Sequence, residues 1–359
     1  MHKSESAFLW LPVFALFFGT SQHLASAPLE VGPHTGEING APYRIDMPPQ
    51  WNGNLVMIAH GYEPVGVPRA ESWPQAPASP MFLAQGYAVA ESGYRSQGWA
   101  VAEALEDIEA LRQHFSSQHE PPKSTYLYGV SLGSHIALAT LERHPEHYAG
   151  ALSTCGVNGP AENMISEGVV TALVALDYFF PTALPAGGLT DANAPSLVDP
   201  EQIEAALASD ETRTAILVQR LEIDRPALAG AMMLNWMVLR ELQQRAGGHP
   251  VDNRDVVYAG FGDDDAFNRG VRRYAADAKA AEYLRTNASL SGRIEDPVVL
   301  LSNDRDPTIP PRFAKIYPAL VKAADRAELL TVMPNRGVGH CDFTPDDIEA
   351  GWAQLVQSK

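Results

Sequence analysis

The chain has 359 residues, 45% hydrophobic and 19% charged, enough for one sizeable buried core with an insertion. Lys plus Arg number 26 against 43 Asp plus Glu, a net charge of −17. This excludes a nucleic-acid partner, because phosphate binding needs a basic surface. Two cysteines, with no CxxC or HExxH spacing, exclude a self-contained structural zinc site.

In chain order, residues 1–6 carry Lys3, and residues 7–18 form an apolar run too short to span a bilayer. Ala25-Ser26-Ala27 then offers a small-residue cleavage site. Residues 1–27 are expected to be an export signal. The mature protein is expected to be periplasmic or secreted, with no stable membrane insertion once the signal is gone.

"TGEINGAPYRIDMP" predicts a hairpin turning at Asn39-Gly40. The run "NLVMIAH", ending at Gly61, suits a buried parallel strand, and residues 63–80 are rich in Pro, Ala and Ser and read as a loop. A strand is expected over 87–92 and a helix over 99–118, where Val101, Leu105, Ile108, Leu111 and Phe115 recur at helical spacing. Strand 125–128, helix 132–143 and strand 148–154 complete an alternation that predicts βαβ units and a mostly parallel sheet.

From 158 to 294 no strand run is evident, only Ala-, Leu- and Met-rich helical segments between Pro and Gly clusters. "PVVLLS" at 297–302 restarts the sheet, followed by a helix near 312–324 and a strand over 328–333. A C-terminal helix opens at Thr344-Pro345-Asp346-Asp347, with an N-cap threonine, proline in the first turn and acids on the positive end of the dipole. The expected organisation is an α/β core over 28–157 and 295–359, with a helical cap inserted over 158–294.

The chemistry centres on "YLYGVSLGSH". Gly129-x-Ser131-x-Gly133 lies between an apolar strand and an alanine-rich helix, the context of a nucleophile elbow. The small neighbours tolerate the strained backbone that exposes the Ser131 hydroxyl, and the Leu132 N–H at the helix start points toward a developing oxyanion. Only one of 11 histidines, His340, follows the restarted sheet, in the glycine-rich loop "NRGVGHCDF". It is the candidate base. The acid belongs at the end of the preceding strand, where "NDRDPTIPP" offers Asp306, with Asp304 as the alternative. A second oxyanion donor is expected from His60-Gly61-Tyr62, as the Tyr62 N–H, with His60 bracing the loop.

These residues, in this order, resemble the α/β-hydrolase superfamily. More narrowly, the chain resembles exported bacterial serine esterases with a large cap inserted after the strand that follows the nucleophile helix. The resemblance covers the two core segments and barely reaches the insertion. It implies the α/β-hydrolase fold and hydrolysis of a small-molecule ester through an acyl-enzyme, with Ser131 as nucleophile, His340 as base, Asp306 as its orienting acid, and no metal or organic cofactor. A peptidase or amidase of the prolyl-oligopeptidase-like type would use the same triad. A binding protein on a hydrolase scaffold is a further alternative, which the intact triad argues against.

Cys155 and Cys341 both fall at the carboxyl edge of the sheet. Tannase- and feruloyl-esterase-like enzymes tie a cysteine beside the histidine to one beside the serine, but here neither neighbours Ser131. The pair either forms a disulfide or remains as two buried thiols. In the insertion, Tyr178-Phe179-Phe180 and "AMMLNWMVL" are expected mainly to fill its own core, with a few residues lining an apolar or aromatic-accepting pocket. His135 reads as a packing residue. Arg95 would anchor the 63–80 loop or a substrate carboxylate, and Asp263 to Asp265 read as a solvated charge cluster.

Overall fold

The computed structural model describes residues 30–69, 73–74 and 77–358. The expected export signal over 1–27 lies outside the described residues. Eight strands form one sheet: β1 (Gly32–Ile38), β2 (Ala41–Met47), β3 (Asn54–Ala59), β4 (Ala88–Ser92), β5 (Ser124–Val130), β6 (Ala151–Thr154), β7 (Val298–Leu301) and β8 (Leu330–Val332). Their spatial order is β1-β2-β4-β3-β5-β6-β7-β8. The β1–β2 and β2–β4 pairs are antiparallel, and every other pair is parallel. The α/β-hydrolase fold expected from the sequence is the fold observed.

Local sequence explains the pieces. The β1–β2 hairpin turns on Asn39 and Gly40, both at positive φ, as a tight hairpin requires. β3 and β5 are apolar nearly throughout because helices cover both faces of the parallel sheet. One face packs on the helices Val101–Gln118 and Leu132–Arg143, and the other on Phe82 and Trp352. The C-terminal helix Pro345–Gln357 starts with a capping box, Thr344 and Asp347 each satisfying the other's backbone N–H.

Two expectations are adjusted. The strand expected over 148–154 is shorter, because Pro145 starts a 3₁₀ turn, Pro145–His147, and β6 begins only at Ala151. The helix expected near 312–324 divides into a 3₁₀ segment, Pro311–Lys315, and an α-helix, Ile316–Ala323.

Between β6 and β7 every regular element is helical. Met232, Trp236 and Leu239 of the helix Leu228–Ala246 are buried, and Phe179, Phe261 and Phe267 cluster with Tyr178 and Tyr258 in the core of this segment. Ala231, Leu234, Asn235 and Val238 on the same helix line a cavity above the sheet's carboxyl edge. No helix among the described residues is long and apolar enough to cross a membrane.

Candidate active site

Ser131 stands between β5 and the helix Leu132–Arg143 with φ 56° and ψ −123°, a backbone conformation that only close packing can hold in a non-glycine residue. The clearance comes from the flanking glycines. A Cβ on Gly129 would lie 2.5 Å from the Gly133 carbonyl oxygen, and one on Gly133 would lie 2.0 Å from the Ala59 carbonyl oxygen. The Ser131 N–H donates to the Thr154 carbonyl at 3.0 Å, which ties the turn to β6.

His340 enters from the loop after β8 and Asp306 from the loop after β7. Ser131 Oγ lies 2.8 Å from His340 Nε2, and His340 Nδ1 lies 2.8 Å from Asp306 Oδ2. A carboxylate only accepts, so Nδ1 carries the proton and Nε2 accepts from the serine hydroxyl. Asp306 is 4% exposed, and its other oxygen accepts from the N–H groups of Thr308 and Ile309. That turn aims the carboxylate at the imidazole. Asp304 is exposed, and its N–H donates to the Gly337 carbonyl, away from the ring.

Tyr62 and Leu132 both line the cavity that contains Ser131. Leu132 is the first residue of its helix, where the N–H groups lack intrahelical acceptors. The loop bearing Tyr62 passes so close that a Cβ on Gly61 would stand 3.2 Å from the Ser131 Cβ. His60 is buried, stacked on Tyr94 at 3.9 Å with Nδ1 on the Gly61 carbonyl, and burial pushes its pKa down to about 4. It is a neutral brace beneath the loop.

Cys155 and Cys341 are joined by a disulfide. It connects the residue after β6 to the residue after His340, and the Cys341 sulfur lies 3.5 Å from His340 Nε2. His135 is buried, with its ring nitrogens facing the carbonyls of Val157 and Ala288. Arg95 pairs with Asp107 and Glu106 of the helix Val101–Gln118, so it anchors neither the 63–80 loop nor the cavity. Arg69 makes the loop contact instead, its Nε and Nη2 donating to Glu63 Oε1 and Oε2. Asp263 caps the helix Asp264–Gly270.

Two contributors were not found by sequence reasoning. Asn303, 2% exposed, links the acid loop to the histidine loop. Its Nδ2 donates to the Arg336 and Asp342 carbonyls at 2.9 and 3.1 Å, and its Oδ1 accepts from the Cys341 N–H at 3.1 Å. Glu241, on the helix Leu228–Ala246, accepts from the Tyr62 hydroxyl at 2.8 Å and so ties Tyr62 to that helix. Neither residue belongs to a motif, and both partnerships span distant parts of the chain.

The cavity has a volume of about 110 Å³ and is walled mainly by apolar groups, among them Trp99, Met164, Val169, Leu234 and Phe313. A family model described as "Serine aminopeptidase, S33" matches residues 84–222, a span that contains Ser131 but neither Asp306 nor His340. No curated protein sequence matches the chain. Among solved structures, Est1E from Butyrivibrio proteoclasticus is similar at 12% identity and TM-score 0.45, over 91% of this chain and 98% of that one. A carboxyl esterase from Bacillus coagulans is similar at 12% identity and TM-score 0.47, over 92% and 98%. An acylaminoacyl peptidase from Pyrococcus horikoshii is similar at 9% identity and TM-score 0.46, over 90% of this chain and 40% of that one.

Proposed function

We propose that this chain, an α/β-hydrolase in fold, is a serine hydrolase of carboxylic esters. The observation that carries the reading is the hydrogen-bonded line from Ser131 through His340 to Asp306 at a mainly apolar cavity. In this reading, Ser131 Oγ attacks the ester carbonyl as its proton passes to His340 Nε2. Asp306 stabilises the resulting imidazolium. The Leu132 and Tyr62 N–H groups hold the oxyanion, and the start of the helix Leu132–Arg143 adds its positive dipole end. The ester C–O bond breaks, His340 protonates the departing alkoxide, and the acyl group stays on Ser131. Water then attacks the acyl-enzyme with His340 as base, releasing the acid and restoring the serine.

The "Serine aminopeptidase" description of the matched family model makes amide hydrolysis the second reading. An aminopeptidase must hold a free α-ammonium, which calls for a carboxylate beside the nucleophile. None of the described residues lining the Ser131 cavity is acidic, and this favours esters. We also place the protein outside the cytoplasm, supported by the pattern of residues 1–27 and by a disulfide at the site.

The test is turnover of p-nitrophenyl esters and aminoacyl p-nitroanilides by the parent protein and by Ser131→Ala. Ester turnover should fall by roughly three or more orders of magnitude in the variant. Retained esterase activity in Ser131→Ala would remove the serine from the mechanism, and faster anilide cleavage would favour the peptidase reading.

A further inference from the structure

Besides Trp99 and Thr308, two polar side chains that line the cavity lie outside the proposed triad and its oxyanion donors. Arg312 lies in the 3₁₀ segment after the acid loop and lines the cavity with Ser131. A guanidinium has five N–H donors. One nitrogen, Nη1, donates to the carbonyl of Leu221 at the end of the helix Glu211–Leu221, and the group rests 4.5 Å above the Phe313 ring. These contacts hold the guanidinium in place and leave most of its donors unused.

No described carboxylate reaches it at ion-pair distance. Glu222 and Glu167 favour its charge only through space, Glu222 is exposed, and Glu167 faces Arg220 at 3.7 Å. Burial lowers the Arg312 pKa from its ordinary value, as expected for a cation withdrawn from water without a paired anion. Asn235, on the helix Leu228–Ala246, lines the same cavity, and its carboxamide has no hydrogen-bond partner among the described residues. Ligand sites are commonly apolar chambers with a few polar groups that fix the ligand's orientation. Here the groups beyond the triad and its oxyanion donors include one fixed cation and one amide.

We propose that the ester cleaved at Ser131 carries a carboxylate a short apolar chain away from the scissile bond, received by Arg312 with Asn235 beside it. The substrate class is a carboxylate-bearing ester, such as a monoester of a short dicarboxylic acid. This rests on the serine-esterase reading above. The cavity volume of about 110 Å³ suits a chain of a few carbons, since an apolar cavity of about 150 Å³ can hold benzene. The net charge of −17 repels anions at a distance. Salt at about 0.1 M screens that field beyond roughly 10 Å, which leaves the contact at Arg312 to decide selectivity.

The experiment compares kcat/KM of the parent protein for monoethyl glutarate, neutral ethyl pentanoate and ethyl 4-carbamoylbutanoate, an uncharged amide analogue. A parallel pair, 4-acetoxybutanoate and butyl acetate, places the carboxylate on the alcohol half instead. At least one acid should exceed its neutral counterpart by roughly tenfold or more, the selectivity a charge-assisted pair can supply. The half that gains tells which part of the ester enters the cavity. In Arg312→Met that ratio should fall toward one, and Arg312→Lys should recover part of it.

If neither acid exceeds its neutral counterpart, or if monoethyl glutarate is the acid that gains and its amide analogue is cleaved as well, the carboxylate site is refuted, and the parent panel decides this even if the variants fail to fold. Ser131→Ala separates the two readings. Serine-dependent cleavage without acid preference refutes only the carboxylate site, whereas cleavage that survives Ser131→Ala refutes the mechanism beneath it.

Discussion

Replacing Asn303 with alanine should loosen the histidine loop without touching a reacting atom. Asn303 makes three hydrogen bonds to backbone groups on both sides of His340, and all three partners belong to the segment 336–342. At about 0.5–1.5 kcal/mol net apiece, their loss should lower stability by about 1.5–4.5 kcal/mol. Misplacing a catalytic group by about 1 Å can cost on the order of a hundredfold in rate. The disulfide still fixes one end of the loop, so kcat should fall by roughly ten- to a hundredfold while KM changes little. Denaturant titration at constant m-value reads the first effect, and steady-state hydrolysis of a p-nitrophenyl ester reads the second. An Asn303→Ala protein that loses this stability yet keeps its kcat would refute the reasoning, because His340 would then be positioned by the disulfide alone.

Glu241→Ala removes the acceptor for the Tyr62 hydroxyl, and Tyr62→Phe removes the donor. Each should lower kcat by about tenfold, and the double variant should be no worse than either, as for two halves of one contact; additive losses would show that they act separately. Acid should destabilise the fold through His60 and His249, whose pKa values burial pushes down to about 4 each. The unfolded chain takes up these protons near pH 6.5 while the folded protein resists them. Stability is therefore highest above pH 6.5 and declines as pH falls toward 4, by on the order of 3 kcal/mol per histidine. His60→Gln should flatten that slope in urea titrations between pH 4 and 7, and an unchanged slope would contradict the neutral brace.

The sheet and the meeting of Ser131, His340 and Asp306 were legible because each rests on a local signal. Apolar runs mark the strands, Gly-x-Ser-x-Gly marks the elbow, and chain order singles out His340 among 11 histidines. The choice between Asp304 and Asp306 was legible in part, through the proline-rich turn after Asp306. Burial accounts for the outcome, since Asp304 faces solvent while Asp306 faces the imidazole. Asn303, Glu241, Asn235 and Arg312 were not legible. A buried asparagine and a solvated one look alike in sequence, and what makes these four matter is a neighbour that is remote along the chain. The cysteines lay between these cases, because the sequence placed both at one sheet edge without deciding whether they were bonded.

The bond between Cys155 and Cys341 closes a loop across 186 residues. In the chain-entropy view this restricts the unfolded state by about 5 kcal/mol. One end of that loop adjoins His340, so the bond also ties down one end of the histidine loop. A newly made, reduced chain already contains Ser131, Asp306 and His340, yet Asn303 must hold the histidine loop with no covalent help. In that reduced chain the placement of His340 would rest on the three hydrogen bonds of Asn303. If the protein is exported as proposed, the two thiols would join only after it leaves the reducing interior of the cell, and the histidine loop would gain its covalent tie there.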